Sequence, residues 1–279
     1  MASHVTPPLR PVAAQEPLFA YLRQMWRRRD FATALPMEEV RARHQDTLLG
    51  NLWHVGNPLL TVLVYYVIFG VILNASRGVD NYLLWLTIGV FSYNLTSKTV
   101  LAGAQAITSN EGLIRAVQFP RALLPVSVTF SHIITFWFEL GMLSALSILM
   151  GLYPNPRWLA IPVFLVIQSA FNLGAAMIVA RLNDGFRDVA QIVPFLFRLG
   201  TYASGVMFPL TRIDERVSGP LALIVKLNPF SSYLALYRWS FLGTPLTGFT
   251  LGVAGGWAFV ALVWGFRFFR RAELRYGRG

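Results

Sequence analysis

Cysteine is absent from this chain, so disulfides, thiolate metal sites and redox switching are excluded. Charge is scarce as well: Asp, Glu, Lys and Arg make up 13% of the residues, against roughly a quarter in a soluble domain. Lysine is nearly missing, with only Lys98 and Lys226 among 24 basic residues. There is no GxxxxGK[ST] loop to cradle nucleotide phosphates, and no GxSxG elbow. The four histidines, His4, His44, His54 and His132, are scattered and fall at no metal-ligand spacing. Asp184 and Asp188 stand at helical spacing, but the neighbouring Arg181 and Arg187 make solvated ion pairs their ordinary role. No catalytic residue and no metal site emerges, and the chain does not look like an enzyme.

What fills the sequence is apolar: 55% of the residues are hydrophobic. A helix that crosses a bilayer consumes about 20 residues, and long uncharged stretches of that size recur along the chain. The expected fold is therefore all-α, a polytopic membrane protein with six transmembrane helices near residues 55–74, 82–107, 122–150, 158–180, 189–210 and 246–266. The stretch Tyr153-Pro154-Asn155-Pro156 is a turn cluster between two of them. Between the last two, the apolar runs 221–225 and 230–242 are too short to cross and are interrupted by Lys226 and by Asn228-Pro229. That pattern predicts a re-entrant or interfacial hairpin within 211–245.

The flanks follow the same logic. Residues 1–17 hold four prolines and no apolar h-region, so they predict a flexible tail and not a cleaved signal. Residues 18–54 predict interface helices. Leu18, Leu22, Met25 and Trp26 share one face of the first, and Arg23, Arg27, Arg28 and Arg29 lie mostly elsewhere, which suits a headgroup boundary rich in anionic lipid. The second starts at Pro36, with Glu38 and Glu39 where the helix dipole favours negative charge. Residues 267–279 form a basic tail. The net charge of +11 sits beside apolar spans, where it sets topology and meets membrane lipids; it does not mark a nucleic-acid binder. With both termini cytoplasmic, sixteen arginines lie inside and six basic residues outside, as the positive-inside rule requires.

Three ionisable residues fall within the spans: Lys98, Glu139 and Arg198. Charge at that depth costs at least roughly 2.5–3.5 kcal/mol and needs a partner charge, a bundle interior or a watery cavity. Lys98 is expected to snorkel to the cytoplasmic interface. Glu139 and Arg198 either pair with each other or line a path, where Arg198 would meet an anionic headgroup. Aromatic faces can stack on sugar rings, and the abundant span aromatics add Tyr65, Tyr93, Trp137 and Tyr202 to Glu139 and Arg198 as channel candidates.

Four ordered segments resemble one family. RARHQDTLLGNLWHVGNP (41–58) is similar to the entry to the first span of ABC-2 type permeases. NEGLIRAVQFPRALLP (110–125) resembles their cytoplasmic loop between spans two and three, RLNDGFRDVAQIVP (181–194) the loop entering span five, and LNPFSSYLALYR (227–238) the stretch before the last span. The nearest branch resembles the Wzm-like exporters of O-antigen, teichoic acid or galactan. The resemblance implies the permease subunit of an ABC transporter that exports a lipid-linked polysaccharide across the bacterial inner membrane. It implies a homodimer and two copies of a separate ABC ATPase, which holds ATP and Mg; this chain binds no cofactor itself. It places a coupling helix at about 110–118, with Glu111, Leu113, Ile114 and Arg115 against the ATPase, and a gate helix carrying Glu38, Glu39 and Arg41. An ABC-2 exporter of small lipophilic drugs or lipids shares this topology and is the alternative. A cytoplasm-active reporter fused after Gly279 is expected to be active, and a reporter active only outside the cell contradicts the orientation.

Overall fold

The computed structural model describes residues 17–30, 53–210, 220–273 and 275–276, and among them it is helical with no strand. The elements are α1 (Leu18–Arg27), α2 (Trp53–Tyr65, continued by a π-helical stretch Tyr66–Ile72), α3 (Tyr82–Gln105), α4 (Glu111–Ala116), α5 (Leu123–Leu149), α6 (Ile161–Gly185), α7 (Val189–Ala203), α8 (Pro220–Lys226), α9 (Pro229–Leu242) and α10 (Gly248–Arg271). Three helices among the described residues are long and apolar enough to cross a membrane: Leu123–Leu149, Pro156–Gly185 and Gly248–Arg271. The expected flexible tail up to residue 16, the helix from Pro36 and the first part of the 211–245 hairpin lie outside the described residues.

Helix boundaries follow local chemistry. Asn155 Oδ1 accepts from the Arg157 amide at 2.9 Å ahead of α6, with Pro156 in the first turn. Asn228 does the same for α9, accepting from the Phe230 amide at 2.9 Å with Pro229 at the first helical position. That helix stops at Gly243, whose φ of 70° suits a residue with no Cβ.

At the centre stands α3, buried on nearly every side although it carries Thr87, Ser92, Thr96, Ser97 and Thr99. Four of these hydroxyls do not oppose burial because the helix and its neighbours satisfy them, while the Ser92 oxygen has no hydrogen-bond partner. Thr87 and Thr99 donate to the carbonyls four residues back at 2.7 and 2.6 Å. From α6, buried Gln168 donates to the Ser92 carbonyl and to Thr96 Oγ1, both at 2.8 Å. Small residues allow close crossings. A Cβ on Gly174 of α6 would lie 2.2 Å from the Ala261 backbone of α10, and one on Gly265 would lie 2.3 Å from the Gly174 carbonyl oxygen. Likewise, a Cβ on Gly103 of α3 would meet that of Ala176 at 2.5 Å. Where lipid offers no hydrophobic drive between helices, such backbone approach supplies the packing attraction.

The structure departs from the expected boundaries at two places. The helix over the last expected span continues past Phe266 to Arg271, and Phe269 and Tyr276 are fully buried. The basic tail is thus partly folded back, its aromatics packing where its arginines cannot. In the fifth span the helix ends at Ala203, and Gly205 then turns with φ of 71°. On α1 the inward residues are Tyr21 and Met25, whereas Phe19, Leu22 and Trp26 face outward.

Gly174→Ala is expected to destabilise the bundle by about 1–3 kcal/mol through forced separation of α6 and α10. Gly256→Ala, which meets no atom within 4 Å, should stay within about 0.5 kcal/mol. Thermal melts of the two variants in detergent compare them directly.

Candidate functional site

One end of the bundle gathers two of the sequence motifs, 110–125 and 181–194, around α4. Ile114 is buried in an apolar cluster with Ile107 at the end of α3, Leu124 of α5, Met177 of α6 and Phe269 of α10, and Leu113 packs against the same cluster. The helix is thus anchored by one buried side chain in a cluster drawn from the ends of four longer ones. Its Glu111 carboxylate meets Arg115 at 3.4 Å within the helix and Arg187 at 3.6 Å from the loop after α6. Gly112, Arg115, Ala116 and Val117 remain exposed. Of the four expected coupling residues, Ile114 and Leu113 thus hold the helix to the bundle, Glu111 ties it to a second loop, and Arg115 faces outward.

The ion pairing expected inside 181–188 is different in the structure. Arg187 reaches Glu111, and Arg181 donates to the Phe268 carbonyl while its guanidinium lies 3.8 Å from the centre of the Phe268 ring. Asn183 pins this loop, donating to the Ala104 carbonyl at 2.8 Å and accepting from the Ala190 amide at 3.0 Å. Spacing along one helix could not show that these partners come from other elements.

Below α4, Tyr21, Arg121 and Glu273 join three distant parts of the chain. The Tyr21 hydroxyl donates to Glu273 Oε1 at 2.7 Å, and the Arg121 amide donates to the same oxygen at 2.8 Å. The Arg121 guanidinium also donates to the Glu273 carbonyl, and the Ala122 amide donates to the Tyr21 oxygen at 3.3 Å. Arg270 stacks over the Tyr21 ring at 5.0 Å. Burial pushes the Glu273 carboxyl above its usual range, against the lowering effect of Tyr21 and Arg121. Burial first, and then the Glu273 charge, hold the Tyr21 phenol in its protonated, donating form. The FPR segment thus acts as a clamp between α1 and the end of α10. Arg28 reinforces it by donating to the Gln118 carbonyl at 2.5 Å.

The channel candidates separate into two groups. Tyr65, Arg198 and Tyr202 lie near one another; Arg198 and Tyr202 are exposed, as is Trp137 on α5. Tyr93 and Glu139 lie inside the protomer. Tyr93 donates to the Phe197 carbonyl at 2.6 Å and packs on Phe230. Glu139 does not pair with Arg198: its partner is Lys98, at 3.4 Å. The Lys98 ammonium is thus held by a buried carboxylate on the neighbouring helix.

Sequence reasoning missed Arg238, which it placed among the outer loop charges. It is buried, donates to the Gly205 carbonyl at 3.0 Å and lies 3.3 Å over the Trp85 ring. Together with the Tyr82 hydroxyl, which donates to the Met207 carbonyl at 2.7 Å, it fixes the turn after α7 against α3. The Tyr237-Arg238 pair in the last motif was the signal available for it. The gate-helix residues Glu38, Glu39 and Arg41 lie outside the described residues.

Comparison with known proteins gives a consistent result. The profile of the family described as ABC-2 type transporter matches residues 33–242. An O-antigen export system permease protein from Myxococcus xanthus is 30% identical over 217 residues, covering 78% of this chain and 82% of the relative. One of the same description from Klebsiella pneumoniae is 24% identical over 88% of this chain and 93% of its own length. A polysialic acid transport protein from Escherichia coli is 24% identical over 70% of this chain and 78% of its own length.

Tyr21→Phe is expected to lower stability by about 1–2 kcal/mol, since it strips a donor from a buried carboxylate. Glu111→Gln should cost under about 1 kcal/mol, because its partners are exposed. The Glu273 pKa is raised, so the folded chain binds the proton more tightly than the unfolded one. Stability should therefore fall as pH rises from the ordinary carboxylate range through the raised value. Glu273→Gln should flatten that fall in melts taken across pH.

Proposed function

The chain belongs to the ABC-2 type transporter family, and from that premise we propose that it is the permease subunit of a polysaccharide exporter. It moves a lipid-linked glycan out of the cytoplasm as a separate ABC ATPase hydrolyses ATP with Mg. The substrate class is supported by the O-antigen and polysialic acid permeases to which most of the chain is similar.

The observation that carries the mechanism is the mounting of α4. A six-residue helix whose buried Ile114 shares an apolar cluster with residues at the ends of α3, α5, α6 and α10 would move together with them. Its exposed side, including Arg115, is the surface on which the ATPase docks. Closure of the ATPase is then passed into the long helices as rigid-body motion, with the Glu111–Arg187 contact carrying α7 along. The clamp of Tyr21, Arg121 and Glu273 brings α1 and α10 into the same unit.

Two copies would pair through the exposed apolar faces of α2 and α7, which include Leu60, Leu63 and Val67 on one and Ile192, Phe195 and Leu199 on the other. Tyr65, Arg198 and Tyr202 lie at that face and would line the path between protomers. Their broad, weak contacts suit a polymer that must slide. In this arrangement each chain crosses the inner membrane six times with both termini cytoplasmic. The α8–α9 hairpin then re-enters from the outer side, held down by Arg238. The distribution of arginines supports that orientation.

Depletion of the chain in its native cell is expected to trap completed lipid-linked glycan on the cytoplasmic membrane face, and an unchanged distribution overturns the proposal. Arg115→Glu should weaken coupled ATP hydrolysis by about tenfold with the chain still folded in the membrane. ATPase association unaffected by that variant would remove α4 as the docking surface.

A further inference from the structure

The open face of α3 and the buried charge behind it point to a site that neither the motifs nor the family relation assigns. Beyond Leu83, the residues of α3 that are not buried are Asn94, Lys98, Leu101, Ala102 and Gln105. At helical periodicity these fall on one face. The most buried helix of the bundle therefore has a single opening over its last three turns, and its polar side chains are an amide, an ammonium and a second amide. Glu139 of α5 stands behind the middle one. Its side chain is 3% exposed, whereas that of Lys98 is 40% exposed, and their charged atoms are 3.4 Å apart.

The asymmetry leaves the ammonium reachable and its counter-ion enclosed: burial of both ends would cost the desolvation of two charges, and here only the carboxylate is inside. A lysine with no internal partner would extend to the headgroup boundary. Here the carboxylate is inside and holds the ammonium at the surface of α3, about two turns before the helix end. An ammonium has three donors, and Glu139 engages one. On the same face, amides lie roughly 6 Å and 10 Å away along the helix axis.

We infer that Lys98, flanked by Asn94 and Gln105, is a binding site for a phosphate-bearing headgroup, namely the diphosphate of the polyprenyl carrier on the exported glycan. The inference rests on the exporter reading for its ligand and on the α3–α5 geometry for its place. Glu139 is the internal counter-ion, and it competes with the phosphate for the ammonium. It is displaced in part when the headgroup arrives. The amides supply hydrogen bonds to the remaining phosphate oxygens or to the first sugar.

The test measures binding of a fluorescent polyprenyl diphosphate to the chain and its ATPase in phosphatidylcholine nanodiscs. Phosphatidylglycerol and inorganic pyrophosphate serve as competitors. Lys98→Gln is expected to weaken binding by about tenfold or more, as loss of a charged hydrogen bond does. Lys98→Arg should retain most of it, and Glu139→Gln, which removes the competing carboxylate, should tighten it. Should Lys98→Gln alone misfold around an unpaired Glu139, the double variant Lys98→Gln/Glu139→Gln removes both charges and is expected to show the same loss. Tight wild-type binding that the double variant preserves, or parallel weakening by Lys98→Gln and Glu139→Gln, overturns the site and leaves the exporter reading standing. No wild-type binding of any polyprenyl diphosphate overturns the proposed substrate itself. Equal displacement by phosphatidylglycerol would make the site one for bulk anionic lipid, and displacement by pyrophosphate alone one for the free anion; either result overturns the assignment.

Discussion

Inside a bilayer no water is available to complete a hydrogen bond, so each polar group must find its partner in the protein. That constraint organises this chain. It explains why the hydroxyl-bearing α3 is surrounded by α2, α5, α6, α7 and α9, and why Gln168 reaches across to Ser92 and Thr96. It explains why Lys98 and Glu139 face each other across two helices. It also explains why Arg238 turns inward to carbonyls and an aromatic ring. The apolar surface that remains is turned outward, on α2, α5, α7 and α10.

The same requirement makes the two ends of the bundle rigid. At one end, Arg238 and Tyr82 complete the carbonyls of a turn that has left helical geometry. At the other, Asn183 completes the end of α3, and Tyr21, Arg121 and Glu273 complete one another. A short helix mounted on such an end has little freedom of its own. Its displacement is a displacement of the bundle, which is what a subunit driven by a separate ATPase needs.

Helix placement was legible because hydropathy and punctuation agree: Asn155-Pro156 and Asn228-Pro229 mark starts that the capping geometry repeats. The motif loops were legible as a unit, since NEGLIRAVQFPR and RLNDGFRD do converge around α4. Pairing was not legible. Glu139 meets Lys98 and not Arg198 because helix rotation, which residue spacing does not encode, decides which charges face each other. Arg238 was counted with the outer charges because its sequence neighbours do not reveal burial against Trp85. The C-terminal segment was read as tail from its arginines, while Phe269 and Tyr276 decide its packing.

The central claim is that this chain carries a glycan through a path driven from α4. Reconstitution with the ATPase in liposomes, with lipid-linked glycan supplied on the ATPase side, tests it most directly. The account predicts ATP-dependent appearance of the glycan in the lumen, out of reach of an added glycosidase. Hydrolysis of ATP with the glycan left wholly accessible, while a small lipophilic compound is transported, would contradict it.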